Sequence, residues 1–127
     1  MTRFLLLFIL ALGGICYSQT DKAIATYSVN DKLVGLSNLA NGLSDCSIRS
    51  TAGKVKRVEL LEDRITVTLK ISKNLSESVF IPLDRVADED RKPIFKHLIT
   101  KNNVIRVSGY ACDPDAPFPA FSVDRVY

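Results

Sequence analysis

Hydrophobic and polar positions alternate most regularly in Arg64-Ile65-Thr66-Val67-Thr68-Leu69-Lys70-Ile71, where Ile65, Val67, Leu69 and Ile71 share one face. A period of two, carried by β-branched and apolar residues, predicts a strand buried on one side. Lys54 to Leu61, bounded by Gly53 and by Glu62-Asp63, predicts a strand joined to it in a hairpin. After the turn Ser72-Lys73-Asn74, Ser78 to Leu83 predicts a third strand. Pro82 has no N–H to give a ladder and marks that strand's end or an edge. The period then changes. Asp88-Glu89-Asp90 introduce a helix over Arg91 to Thr100, since acidic residues suit its N-terminal dipole and Pro93 is tolerated in a first turn. Ile94 with Leu98, and Phe95 with Ile99, form its apolar stripe. Asn102-Asn103 stop it, and Val104 to Ala111 predicts a fourth strand, with Gly109 at a bulge or a close backbone approach. The loop Asp113-Pro114-Asp115-Ala116-Pro117 leads to a fifth strand, Phe121 to Tyr127.

Two stretches lie outside this pattern. Arg3 precedes the apolar run Phe4 to Leu12, then Gly13-Gly14 and Cys16-Tyr17-Ser18, with small residues where a signal peptidase reads. Residues 1–18 therefore read as a secretory signal cut after Ser18. The run is shorter than the roughly 20 apolar residues of a membrane span. Cys16 is a poor lipid-anchor site, with Gly13 three residues upstream and the bulky Ile15 immediately before it. In Thr20 to Ser44, Leu33, Val34, Leu36, Leu39 and Leu43 recur at roughly helical spacing, interrupted by Gly35 and Gly42. This predicts a short strand or coil followed by a short helix, an extension over residues 19–44 packed on a domain over residues 45–127.

Cleavage would remove Cys16 and leave Cys46 and Cys112, which in an exported chain read as one disulfide. The expected localisation is secreted or periplasmic, with no membrane span after cleavage. About 109 residues remain, one domain's worth. The net charge of +3 drops by one with Arg3, and charges are interspersed apart from Lys54-Val55-Lys56-Arg57. That is not the footprint of a dedicated nucleic-acid binder, so no nucleic-acid partner is expected.

Three strands, one helix and two strands is the order of the OB-fold, so the predicted class is all-β: a five-stranded OB-fold-like barrel with one helix between strands three and four. The chain resembles the B subunits of bacterial AB5 toxins, the Shiga type above all. Asp45-Cys46 ahead of Gly53-Lys54-Val55, the Thr66-x-Thr68 strand, and Ala111-Cys112 closing the fourth strand carry that resemblance, over about Asp45 to Tyr127. It implies glycan or cell-surface recognition, a pentameric homo-oligomer and a catalytic A-type subunit as partner. No glycan-contacting residue of those toxins has a matching position here. A second resemblance, to small periplasmic BOF-like OB-fold proteins, rests on the strand ending in Gly109, the Asp-rich loop and the final strand. It implies a monomer binding a small ligand or a protein in the cell envelope.

Catalysis has little to stand on. His97, the single histidine, sits on the predicted helix without a Cys or acid at metal spacing. There is no Gly-x-Ser-x-Gly elbow and no phosphate loop. Asp113 and Asp115 are too few for a calcium loop and read as solvated turn acids. No enzyme activity, cofactor or metal is expected. For binding, an OB-fold uses its second and third strands with the loops joining strands one to two and four to five. That nominates Arg64, Thr66, Thr68, Phe118 and Phe121, joined by Tyr110 on the fourth strand, as rings and hydrogen-bonding groups suited to a sugar. Lys54, Lys56 and Arg57 suit phosphate, yet read first as a solvated strand face. Asn74-Leu75-Ser76 fits the N-glycosylation pattern of a eukaryotic secretory pathway.

Overall fold

A computed structural model of the protein describes residues 22–40 and 45–126. The signal segment, Cys16, Gly42, Leu43 and Tyr127 lie outside the described residues. Seven strands are described: β1 (Ile24–Tyr27), β2 (Leu33–Ser37), β3 (Ser47–Leu60), β4 (Arg64–Ser72), β5 (Leu75–Pro82), β6 (Val104–Ala111) and β7 (Phe118–Arg125). Between β5 and β6 come a short helix α1 (Asp88–Pro93) and a π-helical turn over Ile94–Leu98. The all-β class is what the structure shows, with β1 and β2 additional to the five strands predicted from Lys54 onward.

The alternation in β4 does what it predicts: Ile65, Val67 and Leu69 are each 0% exposed. β4 pairs antiparallel with β3 on one side and β5 on the other. The 14-residue β3 serves two neighbours, β6 over Ser47 to Lys54 and β4 over Lys54 to Leu60. β7 runs antiparallel to β6 and meets β5 in parallel at Val79–Phe118 and Phe80–Pro119. The order β3-β4-β5-β7-β6 therefore returns to β3, closing a ring in which each of these strands has a partner on both sides. Closure disposes of edges that otherwise invite aggregation.

The short helix expected around Leu33 to Leu43 is instead, over its described part, the strand β2. It pairs with β7 at Gly35–Asp124 and Leu36–Val123, just beyond the place where β5 leaves that edge. Leu33, Leu36 and Leu39 are buried in the same cluster as Ile81, Ile94 and Val123. A vacant strand edge outweighs a weak helical spacing, because it supplies ladder hydrogen bonds as well as apolar contact. Asp31 and Asn38, at φ 59° and 57°, take the left-handed turns flanking β2, which Asn and Asp tolerate better than most residues.

The helix also departs from expectation. It starts at Asp88 rather than Arg91, with Asp88, Glu89 and Asp90 in its first turn, so Pro93 falls at its end. Lacking an N–H, Pro93 leaves a helical bond unmade. The next turn opens to an i→i+5 bond, from Ile99 N–H to the Ile94 carbonyl at 2.9 Å. Ile94, Leu98 and Ile99 enter the core and Phe95 stays 36% exposed. Asn103 Nδ2 then donates to the His97 and Leu98 carbonyls, at 2.9 and 3.2 Å.

Gly109 sits at a register shift between β6 and β7, where alanine's Cβ would lie 2.0 Å from the Pro119 carbonyl oxygen. The Cys46–Cys112 disulfide forms as expected and ties the start of β3 to the end of β6, with Cα atoms 4.8 Å apart.

Tyr27 links the N-terminal hairpin to α1 by donating its hydroxyl to Asp90 Oδ1 at 2.5 Å. That bond, then desolvation and the charges of Asp90 and Glu89, push the phenol pKa up from 10.0 to about 12. The protonated phenol is the donor, so its contribution is intact below pH 10 and disappears as pH climbs through about 12. Absorbance titration is expected to show one late-ionising tyrosine that Tyr27→Phe removes. A late component persisting in that variant would contradict the assignment.

Candidate functional site: a cleft beside the β6–β7 loop

The alternation that turns Ile65, Val67 and Leu69 inward turns Arg64, Thr66 and Thr68 outward. Their partners on β5 are Pro82, Phe80 and Ser78, and the Thr68 and Ser78 hydroxyls lie 3.3 Å apart. The Arg64 guanidinium stacks 4.4 Å over the Phe80 ring and bonds Asp63 at 3.0 and 3.2 Å. These bonds hold the Asp63 carboxyl below its usual range and raise Arg64 above its own. Arg64 thus covers the Phe80 ring.

At Ser78 the face meets a cleft of about 410 Å³ lined by Arg49, Leu75 to Ser78 and Pro114 to Pro117. Arg49 stands on β3, its guanidinium 2.8 Å from Glu77 and 5.9 Å from the Phe118 ring centre. Cys46 lies just ahead of Arg49 in sequence and Cys112 just ahead of Pro114, so the disulfide holds two walls of the cleft together. The Asp115 N–H donates to Asp113 Oδ1 at 3.0 Å, which shapes the loop.

The six nominated residues fall in three places. Arg64, Thr66 and Thr68 share the outer face of β4. Tyr110 and Phe121 meet with ring centres 5.1 Å apart, on the side of β6 and β7 that also carries Ile48, 68% exposed and paired with Tyr110. Phe118 is a correction: at 2% exposed it belongs to the core, because β7 starts three residues earlier than expected and its inward positions begin with this ring. Arg49 and Glu77 escaped the sequence reading. Ser47 to Gly53 shows no apolar alternation, and nothing local pairs an arginine on one strand with a glutamate two strands away.

Among the described residues no three His, Cys, Asp or Glu side chains gather as metal ligands. Nor, among them, is any helix long and apolar enough to cross a membrane. Comparison with protein families, curated proteins and solved structures finds no match to this chain.

Proposed function

We propose that this protein is an exported, non-enzymatic binding module built on an OB-fold barrel, and that it recognises a glycan in the cleft beside the β6–β7 loop. The observation that carries the reading is the cleft's position. Taking β3 to β7 as the five barrel strands, it lies where the third strand meets the loop joining the fourth and fifth, part of the surface OB-folds use for ligands. Its chemistry supports a neutral sugar. Arg49 is balanced by Glu77 at 2.8 Å, so an anion would have to compete with a carboxylate already in place. Ser76, Ser78 and Asp115 add donors and acceptors, and Leu75, Pro114 and Pro117 offer apolar surface to C–H groups. A pentamer carrying a catalytic A-type subunit is the assembly the toxin resemblance suggests, and five weak sites would then act through avidity.

On a glycan array the oxidised protein is expected to bind a restricted set of neutral oligosaccharides, with at least about tenfold weaker binding for Glu77→Gln, as for a lost charge-assisted hydrogen bond. Full retention of affinity in that variant would move the site elsewhere. Failure of the unaltered protein on every glycan would favour the second reading, a monomeric envelope protein that binds another protein. The exposed Ile48, beside the half-buried pair Tyr110 and Phe121, supports that alternative.

A further inference from the structure

The register between β3 and β4 shifts between Val55 and Arg57, leaving Lys56 as an extra residue without a partner on β4. Strict alternation would turn Lys56 and Arg57 to opposite faces. A bulge instead lets neighbouring residues serve one side. Both cations therefore line the same groove, of about 280 Å³, together with Lys101 and with an apolar floor of Val55, Val58, Phe95 and Ile99. Lys101 arrives because the loop after the π-helical turn clamps β3, with Asn102 N–H donating to the Val55 carbonyl and Val55 N–H to the Asn103 carbonyl.

Two further observations bear on what fills this groove. Lys54 and Lys70 stand directly opposite each other across β3 and β4, an arrangement that costs stability unless an anion intervenes. Among the described residues no ion pair involves Lys54, Lys56, Arg57, Lys70 or Lys101, whereas Arg49, Arg64 and Arg91 all have acidic partners. Farther along β3 and at the turn beyond it, Leu60 and Leu61 are 61% and 43% exposed. Cations around an apolar trough, with two exposed leucines nearby, complement an anionic surface that also has an apolar interior.

We propose that this face of β3 docks on an anionic lipid surface, Lys56, Arg57 and Lys101 meeting phosphodiester headgroups while Phe95 and the half-buried Val58 meet the acyl boundary. The site is separate from the glycan cleft. The groove adjoins the start of β6 and the cleft adjoins the loop after its end, so either proposal stands without the other.

The test is vesicle co-sedimentation of the oxidised protein, with phosphatidylcholine vesicles containing one-third phosphatidylglycerol or none. Binding is expected only with phosphatidylglycerol, falling as salt screens the charges. Each cation contributes about fivefold near such a surface, so the Lys56→Glu/Lys101→Glu variant is expected to bind at least about twentyfold more weakly. Phe95→Ser, which keeps every charge, is also expected to bind more weakly. Circular dichroism checks that each variant is folded. Equal binding to neutral vesicles, or undiminished binding by either groove variant, would overturn the proposal. So would release by millimolar inorganic phosphate, which would make the site one for a soluble anion. Preference for heparin over vesicles would overturn it in favour of a polyanionic glycan.

Discussion

Reduction of the Cys46–Cys112 bond is expected to lower the unfolding free energy by about 4 kcal/mol. The cysteines are 66 residues apart, and the loop they close holds β3, β4, β5, α1 and β6, nearly the whole ring. A cross-link over a loop of that length removes chain entropy from the unfolded state, which the chain-entropy model values at about 4 kcal/mol. A domain of this size has only about 5–15 kcal/mol of net stability, so the loss is a large share. It corresponds to a fall in melting temperature of roughly 20 °C. The glycan binding proposed for the cleft is expected to weaken too, because the bond ties together the segments that carry Arg49 and the Pro114–Pro117 loop. Urea midpoints with and without reductant, checked against the Cys46→Ala/Cys112→Ala variant, measure the effect. An unchanged midpoint would show that β3–β6 pairing alone holds this end of the ring.

Gly109→Ala is expected to cost about 3 kcal/mol, the upper part of the range for overpacking a well-packed interior. The new Cβ would meet the Pro119 carbonyl oxygen at 2.0 Å, its carbon at 2.9 Å and the Phe118 ring at 2.8 Å. The first two are backbone atoms of β7, held by β5 on one side and β6 on the other, so neither strand yields without opening the ring. Gly35→Ala supplies the contrast. Its Cβ would meet Asp124 Oδ1 at 3.0 Å, the tip of a side chain that can swing aside, and the expected cost is below about 1 kcal/mol. Urea titration of both variants measures the difference. Equal losses would mean that the two close approaches relax alike, contrary to the distinction between backbone and side-chain contact.

Gly109 was legible because its signal is local: a glycine within an alternating strand marks a bulge or a close approach. The same holds for β4, whose alternation needs no partner to be read, and for the acids opening α1. Strand starts were legible only where apolar alternation reaches them. Ser47 to Gly53 is polar because it pairs with β6 at the disulfide end of the ring, where its side chains stay largely exposed. The helix over Arg91 to Thr100 was placed by its apolar stripe, and Pro93 then split it, since a missing donor changes the hydrogen-bond step after it. For the site, Thr66, Thr68 and Arg64 could be placed on an outward face from alternation alone. Phe118 could not, since its direction depends on where β7 begins.

By itself the sequence determined the all-β class, the strand–helix–strand order from β3 onward and the cysteine pair, because each depends on residues near one another or on composition. Only the tertiary structure decided that Leu33 to Ser37 is a strand, that Arg49 meets Glu77, and that Lys56, Arg57 and Lys101 share a groove. Each depends on which strand edge is left vacant once the ring closes and on where a bulge shifts the register. Such long-range pairings draw their free energy from burial and from backbone hydrogen bonds made with distant segments. No local pattern carries that information.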